Sequence, residues 1–153
     1  MSQKGDAIHI YTDGGCRPNP GVGGWGAVLL YKEHVKELSG GESRSTNNRM
    51  ELTAAVESLS ALKRASKVVM HTDSEYLKKG ITQWMPAWKK RNWQRREGPV
   101  KNVDLWKRLD HLAQQHEIDW RWIRGHNGDL YNERCDELAA GAIERIKCRR
   151  KGG

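Results

Sequence analysis

Residues 7–41 read AIHIYTDGGCRPNPGVGGWGAVLLYKEHVKELSGG. The first of them, 7–13, are apolar on both faces of an extended chain, which predicts a central β-strand ending at Asp13. Residues 23–32 and 34–41 predict two more strands, joined by a short turn near Lys32 and Glu33. Three successive strands with short links make an antiparallel meander. A carboxylate where a buried strand stops, followed by Gly14 and Gly15, is the feature that asks for a reason.

Beyond the meander the period changes. Leu52, Ala55, Val56, Leu59 and Leu62 share one face of a helix predicted over residues 46–65. Residues 67–73 predict a fourth strand. Residues 74–82 open a short helix, and 81–91 are helical but broken at Pro86. Residues 96–102 are a loop, and a helix follows over 102–116 with Asn102 at its N-cap. A fifth strand is predicted over 118–125. The last helix, 132–147, has an apolar face of Cys135, Leu138, Ala139, Ala142, Ile143 and Ile146. This order predicts an α/β fold: a five-stranded mixed sheet, the meander of strands 1–3 and then strands 4 and 5, flanked by helices. We expect a single domain over residues 1–145 and a short basic tail, frayed from Cys148, within 146–153.

The bulk properties agree. A chain of 153 residues suits one domain and can bury roughly 70% of its extended surface without disulfide staples. A net charge of +8 points to a polyanionic partner, nucleic acid first and an anionic membrane surface second. Cys16, Cys135 and Cys148 are odd in number and form no C-x-x-C pair, which argues against a disulfide framework or a structural zinc site and for a reducing, cytoplasmic setting. The N-terminus, MSQKGDAIHI, lacks the apolar stretch of a signal peptide. No run of about 18 apolar residues offers a membrane span.

Asp13 and Asp73 each end a predicted strand, and sheets with crossover helices place their sites beyond strand ends. Each acid taken alone also reads as a turn or helix cap. Glu51 lies at the edge of the apolar stripe of its helix, where it can face the core boundary; with Asn48 it also resembles a capping box. Asp136 holds the same kind of edge position on the last helix, or is an ordinary solvated charge. If the four converge, they repel unless a cation sits among them, and oxygen-only ligands suit Mg²⁺ or Mn²⁺. Two such ions serve phosphodiester cleavage. His126, between Gly125 and Gly128, is a loop histidine suited to proton transfer near neutral pH, or a turn residue.

Residues 84–108 are both basic and aromatic. From Lys89 to Arg108 there are eight Lys and Arg against Glu97 and Asp104, and Trp84, Trp88, Trp93 and Trp106 lie in or beside this stretch. Cations neutralise phosphates, and flat rings support sugars and bases. The same tryptophans at helical spacing also suit core packing, with cationic heads exposed around buried stems.

Together the segments YTDGGCRPNPGVGGWG, TNNRMEL, TDSEY, GITQW with WKKRNW, PVKNVDLW and GHNGDLYNERCDELA resemble the bacterial type I ribonuclease H family, from about Ile8 to Ala142. The resemblance implies a monomeric endonuclease that cuts the RNA strand of RNA–DNA hybrids with little regard to base sequence and leaves 3′-hydroxyl and 5′-phosphate ends. It implies metal-binding carboxylates at Asp13, Glu51, Asp73 and Asp136, with two Mg²⁺ ions in the substrate complex and Mn²⁺ as a substitute, and His126 as a mobile loop histidine that assists proton transfer or product release. Gly14, Gly15, Cys16, Asn19 and Asn48 would follow the RNA strand near its 2′-hydroxyls, the group that marks RNA. Arg44, Thr46 and Asn102 would form a pocket for a DNA phosphate. Lys89, Lys90, Arg91 and Trp93 would hold the DNA strand from a basic protrusion, with Trp84 along the channel. Two positions depart from the family: Glu75 stands where relatives often carry Gln against the RNA, and Ala87, after Pro86, stands where they often carry a polar residue. Two other classes share features of this sequence, a non-catalytic hybrid-binding module and a transposase or integrase core. Four acids facing phosphate weigh against the first, and the Gly-Gly-Cys turn with the Trp-rich basic segment weighs against the second.

Overall fold

The structure is a computed structural model that describes residues 7–123 and 129–152. Strands β1 (Ile8–Arg17), β2 (Gly21–Tyr31) and β3 (His34–Ser45) pair antiparallel in sequence order. Helix α1 (Asn47–Ser60) leads into β4 (Lys67–Thr72), which pairs parallel to β1 on its other edge. Next come α2 (Glu75–Lys79), a π-helical turn (Gly80–Trp84) and α3 (Met85–Lys90). A two-stranded ribbon, β5 (Gln94–Arg95) and β6 (Gly98–Pro99), precedes α4 (Val103–Gln115). Strand β7 (Glu117–Trp122) completes the sheet in the order β3-β2-β1-β4-β7, and α5 (Leu130–Gly152) follows. This is the mixed five-stranded sheet flanked by helices that the pattern predicts.

The alternation of strand residues sorts the helices onto two faces. Ile10, Ala27 and Leu29 join Leu52, Val56 and Leu59 of α1 and Trp106 and Leu109 of α4 in the main core. Gly24 and Gly26, of opposite parity to Ala27 and Leu29, lie under α5 instead. A β-carbon at Gly26 would stand 2.5 Å from the Cys135 carbonyl oxygen, and one at Gly24 would collide with that of Ala139. The missing side chains therefore let α5 rest its backbone on β2. The bidentate pair from Arg134 to Glu37, with Nε to Oε2 at 2.6 Å and Nη2 to Oε1 at 2.9 Å, ties the same helix to β3.

Several boundaries differ from the sequence reading. Strand β1 does not stop at Asp13: Gly14, Gly15 and Cys16 continue it, opposite Trp25, Gly24 and Gly23 of β2. The register with a neighbouring strand overrides the glycines' weak local preference for strand. The capping side chain of α1 belongs to Thr46, whose Oγ1 accepts from the Arg49 N–H at 3.1 Å, and not to Asn48. The disruption near Pro86 takes the form of the π-turn, in which the Met85 N–H reaches back to the Gly80 carbonyl, and Pro86 itself sits in the first turn of α3. The loop over 96–102 contains the short β5–β6 ribbon. Helix α5 runs on to Gly152, past Cys148, where the sequence reading placed a frayed tail. Among the described residues no helix is long and apolar enough to cross a membrane. All three cysteines are free.

Candidate active site

Strands β1 and β4 pair as far as Tyr11 opposite His71. Asp13 and Asp73 each stand two residues beyond that last pair, where the parallel strands part. Both are half-buried. Asp13 remains fastened on its other side by pairing with Gly26 of β2. A site beyond parting strands is thus built from the central strand and its parallel neighbour.

Glu51 enters from α1. It does not form a capping box: its Oε2 accepts a hydrogen bond from the Ser74 hydroxyl. The Ser74 Oγ in turn accepts from the Leu77 N–H at 3.1 Å and so caps α2. Burial, helped by the negative charge of Asp73, pushes the Glu51 carboxyl up to about 7 against the opposing Ser74 hydrogen bond. Asp136 is exposed on α5 beside Cys135, and the charge of Asp13 acts on that cysteine. Burial first and Asp13 second push the Cys135 thiol up to about 12, and its Sγ donates to the Tyr11 carbonyl at 3.2 Å. Burial also raises the Cys16 thiol. Neither thiol is an activated nucleophile. His126 lies outside the described residues.

Among the described residues no three His, Cys, Asp or Glu side chains gather closely enough to hold a metal ion. The structure brings Glu51 into electrostatic contact with Asp73, and Asp13 into contact with Cys135, the neighbour of Asp136. The donor set is all oxygen, and Glu51 is held near neutrality by burial and a like charge. Both features fit a hard divalent cation, which would favour the ionised carboxylate.

Glu51 also lines a groove of about 900 Å³. Of the residues singled out from sequence, Asn19, Thr46, Asn48, Trp84 and Asn102 line it as well. Asn47, Tyr76, Arg95 and Lys101 line it too and were not singled out. Asn47 is the most informative of these. Its Oδ1 accepts from the Cys16 N–H at 2.7 Å, and its own N–H donates to Asn19 Oδ1 at 3.1 Å, which stitches the end of β1 to α1. The side-by-side Asn pair in TNNRMEL was the signal for it.

Asn102 occupies the N-cap position of α4 with left-handed backbone, φ 56°, and its side chain makes no capping bond. Instead Oδ1 accepts from Arg49 Nη1 at 3.2 Å, and Nδ2 donates to the Tyr76 hydroxyl at 3.1 Å. Arg49 also reaches Asp104 through Nη2 at 3.1 Å and Glu42 through Nε at 3.3 Å. The Arg49 hydrogen bond holds the Asp104 carboxyl below its usual range. One guanidinium therefore joins β3, α1 and the start of α4 across one end of the groove.

The basic protrusion is less uniform than its sequence. Lys90 and Arg91 are exposed, whereas Lys89 is paired with Asp110 at 3.2 Å beside a separate cavity. Trp93 and Trp88 pack against the main core. Arg44 and Glu75 are exposed, the latter in the first turn of α2. Gly14, Gly15 and Cys16 are half-buried.

A mixed sheet of this order, with acids where its central strands part and a polar groove beside them, defines the ribonuclease H type of fold. The crystal structure of LC9-RNase H1, described as a type 1 RNase H with the type 2 active-site motif, superposes with a TM-score of 0.83 at 29% identity, covering 95% of this chain and 76% of that one. The RNase H family model matches residues 5–144, and the chain belongs to that family. The ribonuclease H of Thiobacillus denitrificans is 58% identical over 88% of this chain and 91% of its own. The structure of LC11-RNase H1 in complex with an RNA/DNA hybrid shares the fold, with a TM-score of 0.70 at 24% identity over 90% of this chain and 97% of that one. Membership of the family makes the chain a nuclease of the hydrolase class.

Proposed function

We propose that this protein is an endonuclease that hydrolyses the RNA strand of RNA–DNA hybrids and leaves 3′-hydroxyl and 5′-phosphate ends. The observation that carries this reading is the groove in which the Glu51 carboxyl shares a wall with asparagines, Thr46, Lys101 and Trp84. Amides and hydroxyls suit ribose and phosphate oxygens, and base edges need not be read, so cleavage is largely independent of sequence. Gly14, Gly15, Cys16, Asn19, Asn48 and Glu75 take the RNA side. Arg44, Thr46 and Asn102 take a DNA phosphate, and Trp84, Lys89, Lys90, Arg91 and Trp93 take the DNA strand.

Asp13, Glu51, Asp73 and Asp136 would hold divalent cations, two Mg²⁺ with Mn²⁺ as a substitute, whose chemistry when bound is activation of water and stabilisation of the leaving oxygen. Ser74 fixes the Glu51 carboxylate, and Arg49 fixes Asn102. His126 would assist proton transfer or product release. We take residues 1–145 as one domain with a short basic extension over 146–153, acting as a cytoplasmic monomer.

The test is cleavage of end-labelled RNA–DNA hybrid, duplex DNA and duplex RNA, with Mg²⁺ and with chelator. Metal-dependent cutting of the hybrid's RNA alone is expected, and Asp13→Asn should abolish it while hybrid binding persists. Tight binding without cleavage in both Mg²⁺ and Mn²⁺ would overturn the reading.

A further inference from the structure

Gly14 follows the carboxylate residue Asp13 on β1. A β-carbon built there would lie 2.5 Å from both the carbonyl carbon and the oxygen of Met50, and 2.8 Å from the Glu51 nitrogen. All three are backbone atoms of α1, so no side-chain rotation relieves the collision. The contact falls at the peptide that joins Met50 to the second candidate carboxylate. Met50 is fully buried, and its side chain is itself wedged against Gly23, where a β-carbon would lie 2.7 Å from Met50 Cγ. Helix α1 therefore has no room to slide along β1. Asn47 adds a second tie one turn earlier, through the Cys16 N–H. Gly15 differs: a β-carbon there would meet only Asn47 Oδ1, at the ordinary distance of 3.5 Å.

We propose that Gly14 is a positioning residue for catalysis: the absence of its side chain lets the Met50–Glu51 peptide close onto β1 and so sets where the Glu51 carboxylate stands relative to Asp13. The role is separate from any contact that the Gly14 backbone makes with a ribose. It rests on the metal-dependent reading above. A methyl group at position 14 must lift the first turns of α1 from the strand, and Glu51 moves with them. Displacement of about 1 Å at a reacting centre can cost on the order of 10²-fold in rate.

Gly14→Ala and wild type should be compared by thermal melting, by calorimetric titration with Mn²⁺ in the absence of nucleic acid, and by hybrid cleavage. The variant should fold with a lowered melting temperature. It should bind Mn²⁺ more weakly, need more Mg²⁺ for half-maximal rate, and lose kcat on the order of 10²-fold, with a smaller rise in KM for the hybrid because Thr46 and Asn48 ride on the same turn. A merely structural glycine would lower the melting temperature and leave the metal titration of the folded fraction as in wild type. That result, or a loss confined to KM, would overturn the proposal. If Gly14→Ala does not fold, Asn47→Ala loosens the same seam without adding bulk. Weaker Mn²⁺ binding then supports the proposal, and wild-type metal affinity overturns it. A wild-type enzyme that cleaves no hybrid would instead remove the functional reading, so the two failures are distinguishable.

Discussion

Glu51 and His116 show how one side chain's surroundings decide its charge. Glu51 accepts from Ser74 and feels Asp73, so burial and like charge compete with one hydrogen bond. His116 lies far from those acids, at the C-terminal end of α4. It is buried, and its Nδ1 accepts from the Ser66 N–H at 3.1 Å. Accepting there requires Nδ1 to be unprotonated, and burial lowers the pKa of the ring. The unfolded chain, with an ordinary histidine pKa of about 6.5, takes up the proton first as pH falls. The stability from this group is therefore present above about pH 6.5 and is lost as pH falls through that value toward the lowered folded pKa. His116→Asn keeps an acceptor, in its Oδ1, that does not titrate. Melting temperatures measured from pH 8 to pH 5 should fall less steeply for the variant than for wild type. Parallel curves would show that the His116 ring carries no part of the acid sensitivity.

At the level of elements, Arg49 spans three pieces of chain. Its stem leaves α1, and its guanidinium holds Glu42 on β3 and Asn102 and Asp104 at the start of α4. These partners frame the end of the groove where a DNA phosphate is proposed to sit. Arg49→Met keeps much of the stem and loses every polar bond. With Asn102 released, KM for the hybrid should rise roughly five- to tenfold, about 1 kcal/mol of binding, while kcat changes little. Steady-state kinetics checks this, and an unchanged KM would detach the brace from substrate binding. None of this brace was legible in the sequence. The long elements were, because burial of Ile10, Leu52, Val56 and Leu59 repeats with the strand or helix period. What escaped depends on partners distant in the chain. Strand β1 passes through Gly14 and Gly15 because β2 pairs with it, and Asn102 turns left-handed where Arg49 and Tyr76 claim its amide. The carboxylates were legible as types at strand and helix edges. The Ser74 hydrogen bond to Glu51 beside Asp73 and the seam at Gly14 were not, since neither follows from local propensity.

Across the whole molecule, the charge of +8 sets the affinity for any polyanion, but its carriers are unequal. Arg134 is spent on Glu37, Arg49 on Asp104 and Glu42, and Lys89 on Asp110. Lys90 and Arg91, at the exposed C-terminal end of α3, have no ion pair among those of the described residues, although Lys89 is their sequence neighbour. Phosphate contacts release counterions, and each lost contact lowers the slope of log affinity against log salt by about 1. Lys90→Gln with Arg91→Gln should therefore reduce that slope for hybrid binding by about 2, and Lys89→Gln should reduce it by less because Asp110 already neutralises that cation. Binding titrations of one labelled hybrid over a range of KCl, in the absence of divalent ion, give the slopes directly. A wild-type slope in the double variant would show that the protrusion does not touch the phosphates. A Lys89→Gln effect equal to half that of the double variant would show that the hybrid takes Lys89 away from Asp110 on binding.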